Sequence, residues 1–219
     1  MLRALMVLTL ISGLVDAVSY LGLGRVFTAN MTGNIVVLGF AAAGAPGFSI
    51  PATLTSLGSF LAGAVAGGRA GRHISSGSRL LVTAALTEAI LVSAAGVVAY
   101  VAAAVASGWG RFTVIAILAF AMGIRNSCVR RLAVPDMTTT VLTQVLTGFA
   151  ADSRLAGGGN PRAARRGAAV VMMLAGAVTG AALYLHVDAG LPLLIAAVLA
   201  AATAIVFRVS EARLAPDAA

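Results

Sequence analysis

The chain is a series of apolar runs separated by short polar or breaker-rich joints. Six runs are read as membrane spans: Leu2 to Leu23, Pro51 to Ala70, Leu80 to Ala106, Phe112 to Ile124, Ala168 to Leu185 and Leu191 to Phe207. Two are short, Met31 to Ala43 and Met137 to Ala150. At about 1.5 Å per residue a helix of roughly 14 residues reaches only about 20 Å, whereas a bilayer core of about 30 Å takes about 20 residues to cross. The pattern therefore predicts an all-α integral membrane protein: a bundle of six spans plus two half-length or re-entrant helices.

Each short run opens on a polar, hydroxyl- and amide-rich segment. The first follows Phe27-Thr28-Ala29-Asn30-Met31-Thr32-Gly33-Asn34, the second Val134-Pro135-Asp136-Met137-Thr138-Thr139-Thr140. The echo extends further. Gly13-Leu14-Val15-Asp16-Ala17 aligns with Gly123-Ile124-Arg125-Asn126-Ser127, and Leu61-Ala62-Gly63-Ala64-Val65-Ala66-Gly67 aligns with Leu174-Ala175-Gly176-Ala177-Val178-Thr179-Gly180. Three matches in the same order predict a repeat of about 1–107 and 108–212 within a single membrane domain, 1–219, with 213–219 as a short tail.

Composition agrees with a membrane class. Hydrophobic residues make up 60% of the 219, charged residues 10%, and the mean hydropathy is +1.00, beyond what a soluble domain could cover with polar surface. The net charge of +8 comes from arginine alone, since the chain has no lysine. A basic balance often points to nucleic acid. Here the arginines sit between apolar runs, as the positive-inside rule expects, and no nucleic-acid partner is expected.

Arginine placement also predicts topology. The clusters at Arg69, Arg72 and Arg79 and at Arg154, Arg162, Arg165 and Arg166, with Arg3, Arg208 and Arg213, share the cytoplasmic side only if neither short run crosses. The two halves then become inverted copies with both termini cytoplasmic, leaving Arg25 and Arg111 outside. Arg125, Arg130 and Arg131 follow the Phe112 to Ile124 run and read first as topology signals at its cytoplasmic end, with anion contacts as the alternative. The first run lacks a small-residue cleavage pattern and is expected to stay as a span.

Chemistry-bearing residues are few. A single cysteine, Cys128, excludes an intrachain disulfide, and no Cys/His cluster or Ser/His/Asp set has the spacing of a metal or catalytic site. No enzyme, metal or cofactor is expected. Inverted repeats with a half-length helix in each copy are a plan of secondary transporters, whose sites lie near the midplane where half-helix ends meet. Helix N-termini offer unpaired N–H groups to an anionic or polar group. The expected substrate-binding residues are therefore Asn30, Thr32, Gly33, Asn34, Asp136, Thr138, Thr139, Thr140 and Asn126, against the alternative that they only cap their helices. Asp16 and Glu88 lie inside spans, and intramembrane acids mark ion or proton pathways, so they are the candidates for proton coupling. The competing expectation is that an arginine such as Arg125 or Arg130 neutralises each of them.

The stretches Val15-Asp16-Ala17-Val18-Ser19-Tyr20, Asn30-Met31-Thr32-Gly33-Asn34 and Arg125-Asn126 through Thr138-Thr139-Thr140 resemble the YoaK family (DUF1275) of bacterial membrane proteins. The resemblance covers nearly the whole chain. One departure is Arg125, where the family usually has glutamine before the asparagine. The resemblance implies a multi-pass protein of the bacterial inner membrane and a small-molecule transporter. The functional expectation is a secondary transporter of a small polar or anionic solute; the alternative is a non-transporting membrane interaction or assembly protein. The expected partners are the lipid bilayer and that solute, and glycine-lined helices leave a homo-oligomer open.

Overall fold

A computed structural model of the chain describes residues 1–101, 108–134, 142–160 and 162–214. Within them the secondary structure is helical: α1 Leu2–Gly22, α2 Met31–Ala42, α3 Ile50–Arg72, α4 Gly77–Val101, α5 Trp109–Leu132, α6 Leu142–Ala151, α7 Ala163–His186 and α8 Gly190–Leu214, with a short 3-10 turn at Arg154–Ala156. Six of these, α1, α3, α4, α5, α7 and α8, are long and apolar enough to cross a bilayer. Helix α2, at 12 residues, is not.

The starts and stops follow local chemistry. Ser49 accepts from the Ala52 amide at 3.3 Å to open α3, with Pro51 in its first turn, where a missing N–H costs nothing. The expected end of the fifth span at Ile124 is corrected. Helix α5 continues through Arg125 to Leu132 and stops at Ala133 in a left-handed conformation. A run from Phe112 to Ile124 would be too short to cross, and the charge at Arg125 does not break the helix because it is matched inside the bundle.

Helix α1 is the most enclosed span and α7 the least. The core runs through Leu5, Leu8, Ile11 and Leu14 of α1, Ile115, Leu118 and Met122 of α5, and Leu193 of α8. Leu61, Val65, Ile90, Val97, Leu174, Val178 and Val198 point outward, as side chains facing lipid do.

Between membrane helices the driving force is close packing rather than escape from water, so small residues set the contacts. Helix α1 lies along α7, and α3 along α5, with backbones touching. A Cβ added to Gly13 would fall on the Met173 carbonyl, one at Gly176 on the Leu10 carbonyl and one at Gly180 on Leu14. In the other pair, Gly123 meets Phe60, Gly63 meets the Phe120 carbonyl and Gly67 meets Ile124. Leu10 and Leu14 meet Gly176 and Gly180 in that order, and Gly63 and Gly67 meet Phe120 and Ile124 in that order, so the partners run parallel. Helix α4 runs antiparallel to α8, with Gly96 against Leu193 and Gly190 against Tyr100, and antiparallel to α5, with Gly77 against Leu132.

These directions bring the start of α1, the end of α3, the start of α4, the end of α5, the start of α7 and the end of α8 to one end of the bundle. Arg3, Arg69, Arg72, Arg79, Arg130, Arg131, Arg162, Arg165, Arg166 and Arg208 lie on those stretches. Arg25 and Arg111 lie at the opposite end, both beside the loop glycines there.

Candidate functional site

After α1 the chain turns sharply at Gly24, φ +94°, and Arg25, φ +57°, and folds back into the bundle. The anchor is Asp16, whose Oδ1 accepts the amides of Thr28 at 2.9 Å and Ala29 at 2.8 Å. Asp16 lies six residues before the end of α1, about 9 Å along the helix, so α2 starts at depth. Non-helical backbone there needs acceptors from the protein, because lipid offers none. Asn34 supplies the rest: it accepts from the Phe27 amide at 2.8 Å and donates to the Phe27 carbonyl at 2.6 Å and to Ser56 Oγ at 3.0 Å. Ser56 in turn donates to the Phe27 carbonyl at 2.6 Å. The Phe27 ring stacks on Tyr20, centroids 4.8 Å apart. Thr28 Oγ1 is buried without a hydrogen-bond partner among the described residues.

At the centre of the bundle Arg125 reaches from α5 to α4 and α1. It donates to Glu88 Oε1 at 2.7 Å, to the Leu8 carbonyl at 3.1 Å and to Ser12 Oγ at 2.5 Å. Both charged side chains are fully buried. Taking two charges out of water or headgroups is costly, and the attraction offsets that only when the remaining donors are also met. Here Arg125 Nε and Glu88 Oε2 have no hydrogen-bond partner among the described residues. The Asp16 carboxylate lies within electrostatic reach of the same guanidinium.

Two cavities flank this layer. The first, about 280 Å³, is lined by Asp16, Ala17, Tyr20, Leu21, Phe27 and Asn30, with Met173 and Ala177 of α7 behind them. The second, about 500 Å³, is lined by Phe60, Ala64, Gly67 and Gly68 of α3 and by Asn126, Ser127, Arg130 and Arg131 of α5. A larger apolar groove, about 760 Å³, lies between the start of α1 and the end of α8.

The expected site residues therefore separate. Asn30 caps α2, accepting from the Gly33 amide at 3.5 Å, and lines the first cavity with Asp16. Gly33 sits under the Phe27 ring. Asn34 is fully buried and holds backbone, while Thr32 is exposed on the outer face of α2. Asn126 lines the second cavity, and Glu88 is paired with Arg125 away from both cavities. Asp136, Thr138, Thr139 and Thr140 fall outside the described residues. The reading of Arg125 as a topology signal at a helix end is corrected: it is a buried anchor with three hydrogen bonds that joins three helices. Ser12, Ser56 and Tyr20 also escaped the sequence reading. Arg125 had a legible signal, because a span cut at Ile124 is too short and continuing it places a cation among apolar neighbours that need a buried acid.

The fold defines a class: a helical integral membrane protein with six helices of spanning length, shorter apolar helices beside them and a buried arginine–glutamate pair at its centre. The pattern described as "Protein of unknown function (DUF1275)" matches residues 4–206, and the chain belongs to that family. It is 33% identical over 152 residues to the UPF0700 transmembrane protein YoaK of Bacillus subtilis (strain 168), an alignment covering 68% of this chain and 65% of that relative. The chain thus matches just under two thirds of that relative's length. No solved structure matches it.

Proposed function

We propose that the chain is a secondary transporter, not an enzyme, that moves a small polar or anionic solute across the bacterial inner membrane. Its two halves are read as an inverted-topology repeat. The observation that carries this reading is the correspondence of the packing contacts. Gly13 on Met173 and Gly123 on Phe60, Gly176 on Leu10 and Gly63 on Phe120, and Gly180 on Leu14 and Gly67 on Ile124 are the same three contacts in two copies. The cavities follow the same rule, since Asp16, Tyr20 and Met173 in one occupy the positions of Asn126, Arg130 and Phe60 in the other. Two related halves that meet around a buried polar centre are a recurrent plan of secondary transporters.

Orientation follows from charge. The arginine-rich end is read as cytoplasmic, which places both termini inside, the first cavity toward the outer half and the second toward the inner half. Solute recognition is assigned to the cavity residues Asn30 and Asn126, with the α2 N-terminus contributing its dipole. Of the two intramembrane acids, Asp16 touches a cavity and Glu88 does not, so Asp16 is the better-placed proton carrier.

Exchange of labelled small anions and polar solutes by purified protein in proteoliposomes tests the reading. Saturable exchange above protein-free vesicles supports it. No exchange of any solute by folded protein would favour the non-transporting assembly alternative.

A further inference from the structure

We infer that the cavity between α3 and α5 binds an anion bearing a carboxylate or phosphate group. Two guanidinium groups, Arg130 and Arg131, stand on its wall one residue apart, beside the Asn126 amide. Arg125 and Arg166 each hold an acid at 2.7 Å. Arg130 and Arg131 meet no carboxylate at ion-pair distance among the described residues. Opposite them the wall is Gly67 and Gly68: Gly67 packs on Ile124 and Ser127, while a Cβ at Gly68 would meet nothing within 4 Å, so room is left on the Gly68 side. The volume of about 500 Å³ suits a small organic anion or a headgroup.

The α1–α7 cavity is an internal control. Its wall uses the matching positions with a different set of side chains: Asp16 for Asn126, Ala17 for Ser127, Tyr20 for Arg130 and Leu21 for Arg131. A closely related packing frame is thus built without any arginine, so packing does not demand guanidinium at these places. The differences that involve charge run in one electrostatic direction. A carboxylate becomes a neutral amide, a methyl becomes a hydroxyl, and two uncharged side chains become cations whose planar forks fit carboxylate or phosphate in a bidentate way. Marking topology would need positive charge at this end of the bundle, but not the loss of the acid one turn deeper.

The anion can come from water or from a lipid headgroup, and the experiment separates the two. Purified full-length protein in an uncharged detergent is titrated with inorganic phosphate and with succinate at constant ionic strength, following thermal stability and binding. A parallel arm uses phosphatidylcholine nanodiscs with and without phosphatidylglycerol. Binding in either arm is expected to weaken about tenfold or more in Arg130→Tyr/Arg131→Leu, the loss of charge-assisted bonds. It is expected to survive in Arg79→Leu, which removes an arginine from the same end but outside the cavity, and to persist in part in Arg130→Lys/Arg131→Lys. Single Arg130→Gln gives the same readout should the double variant fold poorly. A response confined to the phosphatidylglycerol arm assigns the headgroup as source, and one in the aqueous arm a soluble anion. Equal binding by wild type and the arginine variants, or no response in either arm, would overturn the site. Binding is read here without transport, so this result and the exchange assay fail independently.

Discussion

Arg125 and Glu88 meet at 2.7 Å with neither side chain reaching the surface. Removing one partner leaves the other charged and buried, a loss of about 3–5 kcal/mol in comparable pairs. Arg125→Met and Glu88→Leu are each expected to lower thermal stability sharply, and Arg125→Met/Glu88→Leu to recover much of the loss. Melting curves of the three variants in one detergent check this; a double variant that loses the sum of the singles would contradict it.

The parallel glycine seams predict a position-specific response to one methyl group. Gly176→Ala places a Cβ on the Leu10 backbone, where overpacking costs about 1–3 kcal/mol. Gly58→Ala enters open space and is expected to be neutral or to stabilise by up to about 1 kcal/mol through helix propensity. Thermal unfolding of the pair is the measurement.

Asn34 and Thr32 share a helix and a motif but not a role. Asn34→Ala orphans the Phe27 amide and carbonyl in part and is expected to cost about 1–3 kcal/mol. Thr32→Ala, on the exposed face, is expected to leave stability unchanged within about 0.5 kcal/mol. Comparable losses in both would argue against the buried Asn34 network.

With Cys128 replaced by alanine, cysteines at Ser76 and Ser153 are expected to be shielded from a membrane-impermeant reagent in intact cells, and one at Ala43, at the other end of the bundle, to react. Outside labelling at Ser76 or Ser153 would sink the orientation.

Proton coupling can be tested without collapsing the fold. Asp16→Asn keeps an oxygen for the Thr28 and Ala29 amides, so the turn survives while the titrating group is gone. Uptake driven by a pH gradient is expected to disappear in Asp16→Asn, with solute binding and exchange retained. Wild-type gradient-driven uptake in Asp16→Asn, Glu88→Gln and the double variant would eliminate coupling by these acids.

The long spans were legible because a run of apolar residues has one stable answer in lipid. The short α2 was legible from its length and from the Asn30 cap. What the sequence hid was pairing across distance. Nothing local tells that Asp16 answers the amides of Thr28 and Ala29, or that Ser56 of another helix completes the Phe27 turn. Arg125 was placed at a boundary because a charge beside a run of apolar residues looks like one, although an arginine such as Arg125 neutralising Glu88 was the competing expectation and is the pair the structure shows. Thr32 was overvalued because motif membership does not say which face of a helix a residue occupies.

The glycine seams have a bearing on how the chain is made. Helix α1 finds its parallel partner in α7, and α3 in α5, so each seam joins the two halves of the chain. During synthesis the first span, carrying Asp16 and Ser12, enters the membrane long before Arg125 and the α7 backbone exist to receive it. The halves therefore resemble two pieces of a clasp rather than two stacked blocks: neither closes by itself. Co-expressed as separate fragments, 1–107 and 108–219 would have every interlocking surface needed to find each other in the bilayer.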